Sequence, residues 1–228
     1  MMDRWQVDLH SHTLWSKDSL TQFDTIIRLC EQRGIDRIAI TDHNTADGAL
    51  AMQRIAPELV IVGEEIMTTQ GEILAYFVNE TVPAGLSPDE TIRRLRDQGA
   101  VISVSHPFDR LRKGAWREED LQAIVDRVDA IEIFNARCLF MADNDRAQEF
   151  ALRHNLIGTV GSDAHIPVEY GQALMRLRPF KNDAEDFLGS LRTAETIKRL
   201  SPYYVHLGST FAKWMKRLGL KPRQWPGG

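Results

Sequence analysis

The stretch Val7-Asp8-Leu9-His10-Ser11-His12 determines how the rest of the chain is interpreted. An extended apolar run ends here in two histidines one residue apart, and alternate residues of a strand point to the same face. Three later apolar runs end similarly, at Thr41-Asp42-His43, Ser105-His106-Pro107 and Gly161-Ser162-Asp163-Ala164-His165. The carboxyl ends of parallel strands in a barrel converge on one mouth. The sequence therefore predicts a scaffold that gathers these histidines around metal ions.

Composition sets the broad class of the protein. A length of 228 residues suits one large domain, and α/β barrels reach this size as single units. The net charge of −4 argues against a protein that binds nucleic acid over its whole surface. Cys30 and Cys138 do not form a disulfide framework, and no apolar run approaches the roughly 20 residues that cross a bilayer. We therefore expect a cytoplasmic protein without membrane association.

Strands and helices alternate along the chain at about thirty-residue intervals, which is typical of βα units and a parallel sheet. The predicted strands are Trp5–Leu9, Ile35–Thr41, Leu59–Val62, Glu72–Val78, Val101–Val104, Asp129–Phe134 and Ile157–Val160. The predicted helices are Phe23–Gln32, Ala46–Ile55, a helix from Pro88 to Gly99, Glu118–Asp126, Asp143–His154 and Asp183–Thr193. Ala173–Leu177 is a candidate for one further strand. The pattern predicts an α/β barrel of seven strands, one fewer than usual.

The last stretch of the chain differs in composition. Its basic residues are Arg192, Lys198, Arg199, Lys213, Lys216, Arg217, Lys221 and Arg223, against the single acid Glu195. We predict two units: a barrel at residues 1–190 and a basic, helical tail at 191–228 that packs on it. The favoured interpretation is that Phe211, Trp214, Met215 and Leu218 pack on the barrel and the basic face is solvated. The alternative is a basic flank that attracts an anionic substrate.

The strand ends carry a set of short nitrogen and oxygen donors. They are His10, His12, Asp18, His43, Glu65, His106, Asp163 and His165, which include five of the seven histidines. Imidazole combined with carboxylate suits Zn²⁺, Mn²⁺ or Fe²⁺, whereas Mg²⁺ and Ca²⁺ prefer all-oxygen shells. The set predicts a site for divalent ions of the first kind.

Four segments resemble the signature motifs of the PHP (polymerase and histidinol phosphatase) domain family. They are Leu9-His10-Ser11-His12-Thr13, Thr41-Asp42-His43-Asn44-Thr45, Ser105-His106-Pro107-Phe108 and Gly161-Ser162-Asp163-Ala164-His165, in the family's order and with compatible spacing. The resemblance extends from about Asp8 to Leu177. It implies a distorted seven-stranded, TIM-like (β/α) barrel, two or three divalent metal ions and hydrolysis of phosphoesters.

The resemblance also implies a role for each ligand. One ion would be held by His10, His12 and Asp163, a second by His106, and a third by Asp18, His43 and His165. Glu65 resembles the family's carboxylate that bridges two ions, with Glu64 as the alternative because a one-residue strand shift exchanges them. Glu72 stands where many members have a histidine. Either Glu72 is an oxygen ligand or the second metal site is weaker.

Several residues near these strand ends are candidates for binding a substrate phosphate. Asn135 and Arg137 follow the sixth strand, and the guanidinium fork of arginine matches phosphate oxygens. Arg112 lies in the basic loop after His106. His206 in the tail is a further candidate, with a structural role as the alternative. Arg137 and His165, the latter as a general acid for the leaving oxygen, are the predicted catalytic residues.

We therefore predict a metal-dependent hydrolase of phosphoester bonds in a small phosphorylated metabolite or nucleotide, with a multinuclear centre that activates water. A 3′–5′ exonuclease on short oligonucleotides is the first alternative, because Trp214 and Trp225 accompany the cations of the tail. A non-catalytic, metal-stabilised regulatory module is the second, and the complete ligand set argues against it. A hydrolase of C–N bonds is the third, although no lysine stands at a strand end. No pattern indicates an oligomeric state.

Overall fold

The computed structural model of the protein describes residues 4–220. Lys221, Arg223 and Trp225 of the basic tail lie outside the described residues. The strands are β1 Trp5–Asp8, β2 Arg37–Ile40, β3 Val60–Met67, β4 Glu72–Tyr76, β5 Val101–Val104, β6 Ala130–Asn135, β7 Ile157–Gly161, β8 Ala173–Leu177 and β9 Glu195–Lys198. The helices are α1 Phe23–Arg33, α2 Asp47–Ile55, α3 Pro88–Asp97, α4 Glu118–Gln122, α5 Met141–Arg153, α6 Ala184–Leu191 and α7 Val205–Arg217.

The strands of the described chain form one sheet in the order β7-β6-β5-β4-β3-β2-β1-β8-β9. β1, β2 and β3 are parallel to one another, as are β5, β6 and β7. β4 runs antiparallel to both of its neighbours. The carboxyl ends of six strands and the amino end of β4 therefore lie at the same end of the sheet, which we call the mouth.

The sheet closes into a barrel at the mouth, just beyond β1 and β7. Asp163 N donates a hydrogen bond to His10 O over 2.7 Å, and His12 N donates to Ala164 O over 2.9 Å. Nearer the opposite end, β8 pairs antiparallel with β1 instead. The first seven strands thus form a distorted ring, and β8 and β9 extend the sheet beside it.

Alternate residues of the strands belong to two apolar clusters. Ile38 and Ile40 of β2 pack with the helices in one cluster, whereas Ala39 lies in the other, inside the barrel. Phe187 of α6 joins the interior cluster and stacks edge-on against Tyr76, whose ring centroid lies 5.7 Å away. Because Tyr76 ends the antiparallel β4, α6 covers the end of the barrel opposite the mouth. Apolar side chains therefore fill the barrel interior at the end opposite the mouth.

The α/β, TIM-like fold class predicted from the sequence is confirmed, with a correction to the strand count. The described chain has nine strands rather than seven. The candidate strand Ala173–Leu177 is β8. Glu195–Lys198 was not predicted because its residues are mostly polar and exposed at the edge of the sheet. β3 is also longer than predicted and includes Glu65 within the strand.

The orientation favoured for the tail helix is wrong. Phe211, Trp214 and Leu218 of α7 are 53%, 57% and 54% exposed, while Val205 and Ala212 on the opposite face are buried. The small residues of α7 thus face the barrel and its large apolar residues face outward. The division at residues 190 and 191 stays a prediction. Among residues 4–220, no helix combines the length and apolar character that crossing a bilayer requires.

Candidate metal centre

All nine side chains predicted as metal ligands lie together at the mouth. Eight are buried as whole residues, and the His43 side chain is 7% exposed. They are His10, His12, Asp18, His43, Glu65, Glu72, His106, Asp163 and His165. Residues separated by up to 155 positions in the chain therefore form one cluster, which is the arrangement that a multinuclear site requires.

The first group of donors surrounds Asp163 Oδ1. His12 Nε2 lies 3.1 Å from this oxygen and His10 Nε2 lies 3.6 Å from it. Glu65 Oε1 is 3.4 Å from His10 Nε2. Two donors bound about 2.1 Å from one tetrahedral ion lie about 3.4 Å apart. The spacing of these atoms therefore matches that of ligands sharing one ion.

The second group is centred on Glu65. His106 Nε2 lies 3.0 Å from Glu65 Oε1 and 3.5 Å from Glu72 Oε2. His43 Nδ1 lies 2.9 Å from Glu65 Oε2. The two oxygens of Glu65 thus face different histidines, as a bridging carboxylate would.

The third group lies nearest the solvent and is built around Asp18. His43 Nε2 is 3.5 Å from Asp18 Oδ2, and His165 Nε2 is 3.3 Å from Asp18 Oδ1. His43 contributes to this group with one ring nitrogen and to the second group with the other. The three groups are therefore contiguous rather than separate sites.

The donor atoms fit a metal because many of them lack any other partner. The buried atoms without a hydrogen-bond partner include Nε2 of His10 and His12, Nδ1 of His43, Oδ1 of Asp18 and Asp163, and Oε2 of Glu65. Buried polar atoms are ordinarily hydrogen-bonded, and leaving one unpaired costs about 1–3 kcal/mol. A divalent cation would satisfy these atoms together.

Two groups that sequence reasoning missed hold the histidine rings in place. Glu132 of β6 lies 2.9 Å from His10 Nδ1, and its other oxygen accepts from His106 N over 2.8 Å. Ser16 Oγ lies 3.0 Å from His12 Nδ1 and donates to Asp42 over 2.7 Å. Such partners fix the ring orientation and tautomer of a metal-binding histidine. The signal that could have identified Glu132 is its position as an acidic residue inside the apolar run 130–134.

The backbone explains why particular acids reach the cluster. Alternate residues of a strand face opposite ways, so Glu65 points into the site while Glu64 points outward and accepts from Val82 N over 2.9 Å. Glu72 begins the antiparallel β4 and so lies at the mouth. Asp163 has a φ of 51°, a left-handed conformation that non-glycine residues seldom adopt. Aspartate and asparagine tolerate this conformation better than most residues.

The charges in the cluster hold its acids ionised. Burial alone raises the pKa of Asp163, but Arg112 and His10 outweigh it and hold that pKa well below its usual range. For Glu65 too, burial raises the pKa, but the charges of His10 and His43 outweigh this effect and lower it. Burial lowers the pKa of His43, but its acidic neighbours, Glu65 foremost, raise it to about 10. Protons thus balance the carboxylates, and cations that bind here would replace them.

A pocket of about 390 Å³ opens onto the cluster, and five cationic side chains line it. They are Lys17, Arg112, Lys113, Arg137 and Lys213. Of the predicted substrate-binding residues, Arg112, Arg137 and His206 line the pocket. Asn135 is fully buried and is not part of the lining, since its amide donates to Glu132 and Asp163.

Fold and site together define a barrel protein with a histidine- and carboxylate-rich centre of the kind that binds divalent metals. The family model of the PHP domain matches residues 8–134, and that of the PHP-associated region matches residues 142–196. The chain belongs to the PHP domain family. This confirms the resemblance drawn from the four motifs.

Two uncharacterized proteins of Methanocaldococcus jannaschii are similar in sequence. One is 36% identical over 149 residues, which are 58% of this chain and 82% of that protein. The other is 32% identical over 207 residues, which are 86% of this chain and 84% of that protein. The similarity to the second relative covers both family regions.

Solved structures show the same fold at low identity. A two-domain protein of Bacteroides vulgatus containing a predicted PHP-like metal-dependent phosphoesterase aligns with 93% of this chain and 70% of its own, at a TM-score of 0.72 and 20% identity. PsfC of Pseudomonas syringae aligns with 94% of this chain and 100% of its own, at a TM-score of 0.69 and 21% identity. The lesion-specific endonuclease PfuEndoQ of Pyrococcus furiosus aligns with 85% of this chain and 57% of its own, at a TM-score of 0.57 and 16% identity.

Proposed function

We propose that the protein is a metal-dependent phosphoesterase that hydrolyses a small phosphorylated metabolite or nucleotide at a centre of two or three divalent ions. The observation that carries this proposal is the position of the ligand cluster at the floor of a pocket lined by five cations. Divalent metal ligands below and positive side chains above suit a substrate whose reacting group is an anion. Membership of the PHP family and the phosphoesterase and endonuclease names of structural neighbours support the same class.

Zn²⁺, Mn²⁺ or Fe²⁺ bound by these residues would supply Lewis acidity and a water of lowered pKa. His10, His12 and Asp163 would hold one ion, Glu65, Glu72 and His106 a second, and Asp18, His43 and His165 a third. Glu132 and Ser16 hold the rings of His10 and His12, respectively, in their orientations.

The cations around the pocket act on the substrate before the reaction. Lys17 and Lys113 lie at the lining, where they raise the local concentration of anions. Arg112 bonds to Asp163 and Asp109, so its guanidinium is held beside the ligand cluster. The buried Arg137 is held by Glu169, whose oxygen lies 3.0 Å away. Both arginines are thereby oriented toward a phosphate that enters the pocket.

His165 suits metal binding better than proton donation. Burial and the neighbouring Arg137 lower the pKa of its imidazole, so the ring is neutral at neutral pH. Nδ1 lies 2.8 Å from the carbonyl oxygen of Asp163, and a proton donated from Nδ1 to that oxygen leaves Nε2 unprotonated and directed at Asp18. A neutral ring with Nε2 in a cluster of acids has the properties of a ligand.

The size of the pocket favours a small substrate. A volume of about 390 Å³ lies within the range of small-molecule sites. A short oligonucleotide is the alternative, since Trp214, which follows the pocket-lining Lys213 in sequence, is exposed on α7. Comparing hydrolysis of p-nitrophenyl phosphate with that of a short RNA separates the two.

The proposal is tested with His12→Ala and Asp163→Asn, assayed on p-nitrophenyl phosphate with Mn²⁺ at equal concentration. Asparagine is chosen because it tolerates the positive φ of residue 163. Each change should reduce turnover below detection while thermal unfolding stays cooperative. His154→Ala and Asp126→Asn, at positions outside the pocket lining, are matched controls that should retain the parent's rate. Full activity of His12→Ala would refute the proposal.

A further inference from the structure

Helix α7 forms one wall of the pocket although it lies beyond both regions matched by the family models, which end at residue 196. Its side chains at the lining are His206, Ser209 and Lys213. The wall is therefore contributed by a segment that neither family model matches.

Polar contacts fix α7 against the ligand-bearing loops. Ser209 Oγ accepts a hydrogen bond from Arg137 Nη2 over 2.9 Å. Lys216 Nζ donates to the carbonyl oxygens of Leu14, over 2.6 Å, and Ser16. Val205 and Ala212 on the face toward the barrel are buried beside these contacts. Its lysines are thereby directed at the mouth.

Lys213 differs from the arginines of the pocket in how its charge is balanced. Arg112 and Arg137 each bond to buried carboxylates, Asp163 and Glu169 respectively. Lys213 is 46% exposed, and its Nζ lies 3.3 Å from Asp18 Oδ2 at the outer edge of the ligand cluster. An ammonium on a flexible stem can turn from a single partner toward an incoming anion at little cost.

Building on the proposed phosphoesterase function, we infer that Lys213 is a substrate-binding residue that holds the phosphate oxygens above the Asp18 group of the metal centre. α7 is then a substrate-binding wall and not a peripheral tail. Hydrogen bonds to charged groups contribute about 1.5–3 kcal/mol, which corresponds to roughly 10–150-fold in affinity. Loss of the ammonium should weaken phosphate binding by about tenfold or more.

The test is calorimetric titration of the Mn²⁺-loaded protein with inorganic phosphate, alongside KM and kcat for p-nitrophenyl phosphate. Lys213→Gln should weaken phosphate binding and raise KM by about tenfold or more, whereas Lys213→Arg should stay within about threefold of the parent. Arg217→Gln removes the same charge from an exposed position on α7 outside the lining and should leave both quantities unchanged. Bound Mn²⁺ is measured for each variant.

Two results would overturn the role of Lys213. One is phosphate affinity of Lys213→Gln within twofold of the parent. The other is loss of bound Mn²⁺ in Lys213→Gln, because Lys213 would then serve only to hold Asp18. A parent that binds phosphate but hydrolyses no phosphoester would refute the proposed function instead, and the titration would still decide the role of Lys213. A parent that binds no phosphate would overturn both.

Discussion

Replacing Glu132 by glutamine should weaken metal binding although Glu132 is not itself a predicted ligand. Its Oε1 lies 2.9 Å from His10 Nδ1, and its Oε2 accepts from His106 N over 2.8 Å and from Asn135 Nδ2 over 3.1 Å. A glutamine that keeps the two bonds on the Oε2 side presents an NH₂ group to His10. The ring must then accept at Nδ1 and carry its proton on Nε2, the atom directed at the metal centre. This tautomer cannot bind a metal through Nε2.

The expected loss is about 10–100-fold in metal affinity, or about 1.4–2.7 kcal/mol, the range found when a group supporting a metal ligand is changed. The assay is calorimetric titration of metal-free protein with Mn²⁺, with circular dichroism as the check on folding. Glu31→Gln, on the exposed surface of α1, is the matched control and should bind Mn²⁺ like the parent. Affinity of folded Glu132→Gln within twofold of the parent would show that Glu132 does not set the tautomer of His10.

Two further changes test the surroundings of the site. Gly114→Ala should lower the number of Mn²⁺ ions bound, because a Cβ at this position would lie 2.7 Å from Glu72 Cγ and displace that side chain. An unchanged number of bound ions would show that Glu72 is dispensable. Glu64→Gln should remove part of the pH dependence of stability. Burial raises the pKa of Glu64 to about 8, so its carboxyl increasingly destabilises the folded state between about pH 4.5 and pH 8, by up to a few kcal/mol. Urea unfolding in EDTA should show that the variant gains stability over the parent at pH 8 relative to pH 5, and parallel curves would exclude this role.

The barrel was predictable from the sequence because its strands are short apolar runs with histidines at their carboxyl ends. The antiparallel direction of β4 was not predicted, although a signal existed. Only four residues separate Met67 from Glu72, and a parallel pair requires a longer crossover. β9 gave no such signal, since its residues are mostly exposed and polar.

The candidate ligands were recognised by residue type and position, whereas the residues that support them were harder to find. Glu132 contacts His10, which is far away in the chain. Ser16 contacts a ring nitrogen of His12, and the sequence does not show which way that ring points. The outward-facing apolar stripe of α7 contradicts the usual rule that an amphipathic helix buries its apolar side. The face that packs on the barrel carries the buried Val205 and Ala212 and makes polar contacts with the mouth, which depend on tertiary structure.

Anomalous diffraction from crystals soaked in Mn²⁺ tests the central claim most directly. We expect two or three manganese peaks inside the barrel mouth, including one about 2.0–2.2 Å from donor atoms of His10, His12 and Asp163. A map whose only manganese peaks lie on the outer surface, with the buried cluster empty at saturating metal, would contradict that claim.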